Sequence, residues 1–348
     1  MIKVLMNKPI LRHAKIIEKS LKIAGYQVIT DVFCDDRSLF KIIKFYQPVV
    51  ILPVTINDFS LLARNKEALN RLNCKTLVPD YSTWFRYYDK GRCYELVLEA
   101  GIKAPKTFRV FSKEEALESV STLGFPLVLK YPKEGGSRFV RVVKSDDELL
   151  KNVNEFMDLG ANIKEDGILL QEFIEGRSCG YFALAKEGEI YAEFGHIRVR
   201  ENPPWGGVSC VCESFFHKKM FEYGRKLIKI GKYTGVCMVE FKMTSSEEFY
   251  WIETNPKFWG SVLLPIVSGV NFPVLYVRLA IEGAVEKLLG NTFYKKKIQY
   301  VFCDLKRTFK YKPWDACLVI KDFLNPLVKK DIFFLGIKEF LRFYFCKK

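Results

Sequence analysis

The stretch VCMVEFKMTSSEEFYWIETNP, residues 236–256, contains two apolar segments with the pattern of β-strands, joined by a polar turn. The first segment carries Glu240 and the second carries Glu253 and Asn255, all beside large apolar residues. Buried carboxylates need a cation or a hydrogen-bond partner. If the strands are antiparallel neighbours, these three side chains converge hard oxygen ligands on one cation, which suits Mg²⁺ held jointly by protein and nucleotide phosphates. The alternative, in which each carboxylate pairs with a nearby Lys or Arg, stays open.

A second motif lies about a hundred residues earlier in the chain. Residues 126–132 (PLVLKYP) form a short apolar strand, residues 134–138 (EGGSR) a glycine turn, and residues 139–143 a returning strand, which together predict a hairpin. Lys130 inside the first strand is costly unless its ammonium reaches an anion, and a phosphate oxygen is an obvious partner. In the turn, Gly135 and Gly136 allow backbone N–H groups to approach a phosphate, and the hydroxyl of Ser137 adds a donor. An ordinary hairpin turn is the competing interpretation.

The N-terminal part of the chain has a different pattern. Residues 1–55 alternate strand, helix, strand, helix and strand, which predicts a small parallel sheet. No GxGxxG motif opens the first helix, so a dinucleotide site is unsupported and a role in shaping a substrate cleft is favoured. We place a boundary near residue 85. The resulting predicted units are residues 1–85, residues 86–285 with a small lobe at about 110–180 and a large lobe at about 181–285, and a basic aromatic extension at residues 286–348.

Composition limits the class of protein without selecting a function. The 348 residues are 49% hydrophobic and 27% charged, which is typical of a folded, soluble protein. The first residues do not resemble a signal peptide and no long uncharged apolar run occurs, so we expect a cytoplasmic protein that does not span a membrane. The ten cysteines are scattered through apolar segments, which favours buried reduced thiols over disulfides. The net charge of +15 suits a polyanion partner as well as a nucleotide-handling enzyme.

The ordered motifs together resemble the ATP-grasp superfamily, most closely its carbamoyl-phosphate-synthase-like, carboxylate–amine ligase branch. The resemblance runs from about Asp89 to Gly283. It rests on the motifs at residues 89–90 (DK), 127–130 (LVLK), 135–137 (GGS), 170–176 (LQEFIEG), 239–240 (VE) and 253–261 (ETNPKFWGS). It implies a parallel α/β pre-ATP-grasp domain, then a two-lobed ATP-grasp fold of mixed α/β and α+β character, then a basic helical C-terminal extension. The implied activity is an ATP-dependent ligase of the carboxylate–amine or carboxylate–thiol class.

The resemblance also implies a role for individual residues. Lys130 would bind nucleotide phosphate, with Lys90 as a second phosphate contact. The remaining nucleotide-binding residues would be Gly135, Gly136 and Ser137 over the phosphates, Glu172, Phe173 and Ile174 around the adenine, and Glu175 at the ribose hydroxyls. Glu240, Glu253 and Asn255 would hold one or two Mg²⁺ ions, for which Mn²⁺ could substitute.

The sequence departs from the branch pattern at Lys257, because arginine commonly follows the Asn-Pro pair at that position. Lysine keeps the positive charge but loses the bidentate fork, which affects the expected geometry of substrate binding and could mean altered catalysis. Arg198 and Arg200, alternating on a predicted strand before a proline–glycine loop, could clamp a carboxylate or acyl phosphate; a solvated strand face is the equal alternative. His196 has no Ser or Cys partner at a recognisable elbow, which favours a structural role.

The basic charge concentrates at the C-terminal end, where residues 286–348 contain 15 basic and 6 acidic residues. Residues 333–345 place apolar side chains on one helical face, which predicts internal packing, with contact to a partner or to an anionic membrane as alternatives. The expected partners are a small-molecule carboxylate and amine, and the resemblance makes a homodimer reasonable. No motif for specific nucleic-acid binding occurs. A non-catalytic ATP-binding regulator stays open as the alternative function.

Overall fold

The computed structural model describes residues 1–8, 10–133, 139–204 and 206–335. It contains a three-stranded, a four-stranded and a seven-stranded sheet. The four-stranded sheet has an apolar core of its own, whereas the apolar core of the N-terminal sheet continues into the seven-stranded sheet. The mixed α/β architecture predicted from the sequence is confirmed, and the exact domain limits stay a proposal.

The N-terminal sheet is parallel, with the strand order β2-β1-β3. Its elements are β1 (Lys3–Asn7), α1 (Arg12–Ile23), β2 (Gln27–Asp31), α2 (Asp36–Tyr46), β3 (Val50–Ile51), α3 (Ile56–Arg64) and α4 (Lys66–Arg71). Asp35 and Thr55 begin α2 and α3 with capping boxes, in which each side chain accepts a hydrogen bond from the third backbone N–H of its helix. This arrangement confirms the predicted alternation of strands and helices.

Two helices, α5 (Tyr81–Tyr88) and α6 (Lys90–Glu99), follow the N-terminal sheet. The helical structure of the chain is interrupted between these two helices at residue 89. Asp89 is the reason, because its extended backbone ends α5 while its carboxylate accepts hydrogen bonds from the N–H groups of Gly91 and Arg92 and so caps α6. Lys90 consequently occupies the first turn of a capped helix.

The four-stranded sheet is antiparallel throughout, with the order β4-β7-β5-β6. Its elements are β4 (Thr107–Val110), α7 (Lys113–Leu123), β5 (Leu127–Lys130), β6 (Val140–Val143), α8 (Asp146–Asp158), α9 (Ile163–Asp166) and β7 (Ile168–Glu172). Strands β5 and β6 pair as the predicted hairpin. Its tip, which includes Gly135, Gly136 and Ser137, lies outside the described residues.

The seven-stranded sheet has the order β12-β11-β8-β9-β10-β13-β14. Its first elements are β8 (Arg177–Lys186), β9 (Glu189–Asn202), β10 (Val208–Ser214), α10 (Lys218–Ile230), β11 (Gly235–Met243), β12 (Phe249–Asn255), α11 (Leu263–Val267) and α12 (Phe272–Glu282). Gly224 of α10 lets this helix pack closely on the sheet, because a Cβ there would lie 2.2 Å from the Tyr181 ring. The long strands β11, β8 and β9 lie side by side in this sheet, next to β12.

The C-terminal segment contains the helices expected for it and two short strands that were not expected. Its elements are β13 (Lys297–Gln299), α13 (Val301–Tyr311), a 3-10 helix (Pro313–Asp315), α14 (Ala316–Leu324), β14 (Val328–Lys330) and α15 (Asp331–Leu335). Strand β13 pairs with β10, and β14 pairs with β13 in parallel. The segment is thus part of the large sheet. Most of the helix predicted over residues 333–345 lies outside the described residues.

One expectation about the cysteines is wrong, because Cys210 of β10 and Cys303 of α13 form a disulfide. The pairing joins two positions 93 residues apart in the sequence, which the spacing of the cysteines did not reveal. The other cysteines in the described ranges are free thiols, and most of them are buried. Across the described residues, no helix combines the length and the apolar character needed to cross a bilayer.

Candidate nucleotide and metal site

The two carboxylates of the opening stretch face each other across antiparallel strands. Glu240 of β11 is in register with Glu253 of β12, and a bulge follows directly after Glu240. Asn255 lies two residues beyond Glu253 and so points to the same face of the sheet. Its Nδ2 donates to Oε1 of Glu253 at 3.0 Å and to Oε1 of Glu240 at 3.3 Å. The structure therefore brings the three predicted metal-ligating side chains together.

These three side chains form a donor set that fits a hard divalent cation. Two carboxylates and an amide oxygen are ligands that Mg²⁺ accepts when substrate phosphates and water complete its octahedron. The Asn255 amide presents its nitrogen to both carboxylates. Oxygen and nitrogen of an amide exchange places by a half rotation, so the same side chain can present its oxygen to a cation.

A buried arginine holds Glu240 from the opposite side. Nη2 of Arg198 donates to Oε2 of Glu240 at 2.5 Å, and Nη1 donates to the carbonyl of Gly207 at 2.7 Å. Burial raises the pKa of Glu240 above its ordinary value, and the Arg198 guanidinium offsets only part of this shift. Glu240 therefore pairs with a nearby cation, which was the alternative left open in the sequence. It also lies beside Glu253 and Asn255, as the metal-site prediction required.

Lys130 reaches the same site from the four-stranded sheet. Its Nζ donates to Oε1 of Gln171 at 2.7 Å and to the carbonyl of Ile252 at 3.3 Å. Burial lowers the pKa of Lys130 to about 8, against the attraction of Glu253. The site therefore lies between two sheets, with the lysine on one and the carboxylates on the other.

The charge on Glu253 responds to these lysines. Burial alone would raise its pKa, but Lys90 and Lys130, together with the hydrogen bond from Asn255, hold the pKa below its ordinary value. Lys90 is buried, and its backbone N–H donates to the carbonyl of Pro132 at the foot of the hairpin. Both predicted phosphate-binding lysines thus lie within electrostatic reach of one carboxylate.

Lys257 also belongs to the cluster. Its backbone N–H donates to the carbonyl of Asn255 at 2.9 Å, which folds the chain tightly after β12. Burial lowers the pKa of its ammonium, and the charges of Glu253 and Glu240 oppose this shift. The ammonium of this lysine donates to the carbonyl of Phe258 at 3.4 Å and lies within electrostatic reach of the carboxylate pair.

Arg200 does not join the cluster. Its Nε donates to Oδ1 of Asp304 at 2.8 Å, and its Nη2 is paired with Asp304 and with Asp322, the latter at 2.8 Å. These contacts turn the guanidinium towards the C-terminal segment. The structure separates Arg198 from Arg200, for which a clamp and a solvated strand face were equal alternatives in the sequence.

The residues predicted to surround the adenine lie at the end of β7. Glu172 is exposed, and its Oε2 accepts a hydrogen bond from the N–H of Lys106 at 3.2 Å. Phe173 and Ile174 are partly buried and Glu175 is exposed in the segment that leads to β8. This segment is positioned at the junction of the two sheets.

Sequence reasoning did not single out Gln171, which contacts Lys130, or His13, which lies within electrostatic reach of Lys257. Gln171 is buried in β7, where it accepts from Lys130 and donates to Oγ1 of Thr107 at 2.9 Å; a polar residue in an apolar strand was the available signal. His13 lies near Lys257, and burial, with the cations Lys257 and Arg12, lowers its pKa to about 3. Its position just after the first strand of a parallel sheet was the signal there.

His196 lies on β9, two residues before Arg198. It is buried, its ring contacts that of Phe182 at 4.7 Å between centroids, and its Nδ1 lies 3.4 Å from Oγ of Ser261. Its Nε2 has no hydrogen-bond partner among the described residues. The burial lowers its pKa well below the ordinary value, so the ring stays neutral.

Comparisons with known proteins identify relatives of this chain. The family model for the carbamoyl-phosphate synthase L chain, ATP binding domain, matches residues 89–179. A biotin carboxylase from Nostoc sp. is 27% identical over 206 residues, which are 55% of this chain and 45% of the relative. The C-terminal section of the carbamoyl phosphate synthase large chain from Aquifex aeolicus is 24% identical over 315 residues, 83% of this chain and 54% of the relative. The chain thus spans about half the length of these curated relatives.

Solved structures show the same fold. A biotin carboxylase complex from Campylobacter jejuni superposes with a TM-score of 0.69 at 16% identity, covering 85% of this chain and 74% of the other. An L-amino acid ligase from Bacillus licheniformis superposes with a TM-score of 0.64 at 16% identity, covering 82% and 75%. The family model over residues 89–179, the sequence relatives and the shared fold together support the resemblance of this chain to the ATP-grasp superfamily, in its carbamoyl-phosphate-synthase-like, carboxylate–amine ligase branch.

Proposed function

We propose that this chain is an ATP-dependent ligase that activates a substrate carboxylate as an acyl phosphate and couples it to an amine, or to another nucleophile such as a thiol. ADP and phosphate would be released. The observation that carries the proposal is the facing pair Glu240 and Glu253, joined by Asn255 on one sheet and opposed by the buried Lys130 on the other. Acidic and basic groups around one cleft suit the phosphates of a nucleotide and the cations that accompany them.

The nucleotide would be held mainly by the four-stranded sheet. Lys130 and Lys90 would contact its phosphates, and the hairpin tip with Gly135, Gly136 and Ser137 would cover them. The adenine would lie against Glu172, Phe173 and Ile174, and Glu175 would accept hydrogen bonds from the ribose hydroxyls. Gln171 orients the Lys130 ammonium, since the buried amide accepts its hydrogen bond.

Glu240, Glu253 and Asn255 would hold one or two Mg²⁺ ions, or Mn²⁺ in their place. A bound divalent cation neutralises charge on the transferring phosphoryl group and orients it. Arg198 keeps Glu240 in place and presents a fixed cation beside the site. Lys257 supplies a second cation for the substrate carboxylate or the acyl phosphate, without the bidentate geometry of arginine. Arg200 would act only indirectly, through the C-terminal segment.

The partners are proposed on the same basis. The substrates would be a small carboxylate and an amine, and assembly into a homodimer and a cytoplasmic location fit the branch. Contact of residues 333–345 with an anionic membrane stays a proposal. A non-catalytic ATP-binding regulator is the alternative, favoured by lysine instead of arginine at position 257.

Calorimetric titration of Mg-ATP into the wild-type protein and into Lys130→Ala tests the proposal. Lys22→Ala is the matched control, because Lys22 is a largely exposed lysine in an ion pair on α1. We expect binding to the wild type and the control and loss of binding in Lys130→Ala, followed by ADP release with one pool of carboxylates and amines. Binding without turnover on any pool would favour the regulator, and absence of binding to the wild type would refute both.

A further inference from the structure

Helix α14 leaves most of its large apolar side chains exposed and buries an acidic one. Its sequence is ACLVIKDFL, and its buried side chains are Val319 and Asp322. Leu318, Ile320 and Leu324 are 48%, 58% and 72% exposed. A surface helix of a soluble protein normally buries such residues and exposes polar ones. The buried acid and the exposed aliphatic side chains together indicate a surface that binds another molecule.

Exposed apolar residues also flank α14 in the sequence on both sides. Phe309 near the end of α13 is 81% exposed, Trp314 in the 3-10 helix is 70% exposed, and Leu327 before β14 is 79% exposed. Helices α13 and α14 and the 3-10 helix between them pack against one another. We name the following residues the C-terminal apolar patch: Phe309, Trp314, Leu318, Ile320, Leu324 and Leu327.

The charged residues around the patch are sorted by sign. The three acids of residues 301–330 face inward, Asp304 and Asp322 paired with Arg200 and Asp315 paired with Arg307. Four lysines of the same stretch are exposed to solvent, namely Lys306, Lys310, Lys321 and Lys329. The Nζ of Lys312 lies 5.1 Å from the centre of the Trp314 ring. The outward surface therefore combines apolar side chains with cations, and its acids are neutralised from within.

We propose that the C-terminal apolar patch docks the protein on an anionic lipid surface. Leu, Ile, Phe and Trp side chains enter the boundary between headgroups and acyl chains, while flanking lysines contact lipid phosphates. Each basic residue close to an anionic bilayer adds about 1 kcal/mol of attraction. An acidic protein would account for the lysines but not for the number of exposed aliphatic side chains beside them. An anionic lipid surface accounts for both the lysines and the aliphatic side chains.

The proposal does not depend on the ligase activity or on residues 336–348. It assigns the contact to a folded part of the protein that Arg200 holds against β9 through Asp304 and Asp322. The docked segment is thereby continuous with the strand that carries Arg198.

Co-sedimentation of the full chain with lipid vesicles tests the proposal. Vesicles of phosphatidylcholine mixed with phosphatidylserine are compared with vesicles of phosphatidylcholine alone, at low and high salt. We expect binding to the mixed vesicles, and a loss of at least about tenfold in the double variant Leu324→Glu/Leu327→Glu, since two buried leucines contribute several kcal/mol. The matched control is Ile23→Glu/Phe45→Glu, which changes two residues that are 70% and 78% exposed on the N-terminal helices. The control variant should bind like the wild type.

Four results would overturn the proposal. The first is that the wild type does not bind mixed vesicles, and the second is that the patch variant and the control bind equally. The third is that Phe340→Glu loses binding while the patch variant still binds, which would assign the contact to the C-terminal tail. The fourth is a dimer in analytical ultracentrifugation that Leu324→Glu/Leu327→Glu dissociates, with no vesicle binding, which would make a second copy of the chain the occupant of the patch. Thermal unfolding of each variant checks that the fold is retained.

Discussion

Glu240 and Glu253 face each other in register, yet their pKa values shift in opposite directions. Burial acts on both carboxylates, but Glu253 is also close to Lys90 and Lys130, and these lysines favour its charged form. A divalent cation between the two residues would reduce their mutual repulsion and favour ionisation of both. The residue with the lower pKa is therefore the better candidate for the main metal ligand.

Replacing Glu253 with glutamine tests this assignment. The side chain keeps its shape and loses its charge, so we expect the affinity for Mg-ATP to fall by about 100-fold, or about 3 kcal/mol, and ADP release to stop. Calorimetric titration measures the affinity. Glu248→Gln is the control, because Glu248 is a half-exposed carboxylate in the turn between β11 and β12, where it pairs with Lys103. Wild-type affinity in Glu253→Gln would show that the metal assignment is wrong.

Lys130 should favour ATP binding but lower the unfolding free energy of the nucleotide-free protein. Its folded-state pKa of about 8 lies below the ordinary 10.5, so the unfolded chain binds the proton more tightly. The charged lysine therefore destabilises the nucleotide-free fold fully below about pH 8, and this cost disappears as the pH rises towards 10.5. Methionine at this position carries no such cost.

We accordingly expect Lys130→Met to lose ATP binding but to unfold at a higher urea concentration than the wild type. Its unfolding free energy at about pH 7 should be larger by about 1 to 3 kcal/mol. The difference in unfolding free energy should shrink as the pH rises through 8 towards 10.5. Urea unfolding across this pH range measures it, with Lys22→Met as the surface control. A variant that is less stable than the wild type at every pH would contradict the inferred cost of the buried charge.

At the scale of elements, strand β9 shows what the sequence could predict and what it could not. Alternation correctly predicted a strand through Arg198 and Arg200, and it implied that both arginines point to the same face. The register with β10 shifts at Val211, so that Val199 has no partner across the ladder. Such an irregularity re-aims a side chain, and the period of the sequence does not encode it. The partners of Arg200, Asp304 and Asp322, lie more than a hundred residues further along the chain.

The carboxylate pair was predictable for the opposite reason. Glu240 and Glu253 are close in sequence, and one hairpin sets their register, so local patterning contained the information. Lys130 could be singled out as a buried cation, but its contact with Ile252 depends on how two sheets pack. The disulfide between Cys210 and Cys303 and the addition of β13 to β10 are long-range features of the same kind. Residue patterning specifies elements and short pairings, whereas contacts between sheets depend on the whole fold.

Replacing Arg200 distinguishes an anchoring role from a role in substrate binding. Arg200→Met leaves Asp304 and Asp322 buried without their shared cation, so we expect a loss of about 3 to 5 kcal/mol in unfolding free energy, with a smaller loss in Arg200→Lys. The affinity of the folded variants for Mg-ATP should stay within about threefold of the wild type. Arg278→Ala, which breaks a half-exposed ion pair with Glu282 on α12, is the control. The reverse result, with stability retained and turnover lost in Arg200→Lys, would restore Arg200 to the catalytic clamp.

At the scale of the whole molecule, Arg12 connects parts of the chain that are distant in sequence. Its guanidinium lies 3.9 Å from the centre of the Tyr300 ring, donates to the buried carboxylate of Asp331 at 3.5 Å, and donates to the carbonyl of Gly260 at 3.4 Å. The first helix is thereby joined to the C-terminal segment and to the turn after β12. Asp331 in turn accepts a hydrogen bond from the N–H of Val301, which fixes the start of α13.

We therefore expect Arg12→Ala to cost about 1 to 3 kcal/mol of unfolding free energy, since it removes a cation–π contact and leaves a buried carboxylate with less compensation. Arg71→Ala, which breaks a highly exposed ion pair with Glu67, should change it by less than about 0.5 kcal/mol. Hydrogen exchange locates the effect: protection should fall first in residues 297–335 and remain in β8, β9 and β11. Because Arg200 holds the same segment through other contacts, Arg12→Ala and Arg200→Met should each loosen it, and their combination should release it from the sheet. If Arg12→Ala lost protection uniformly across the chain, the C-terminal segment would be an inseparable part of the core and not an element docked by two arginines.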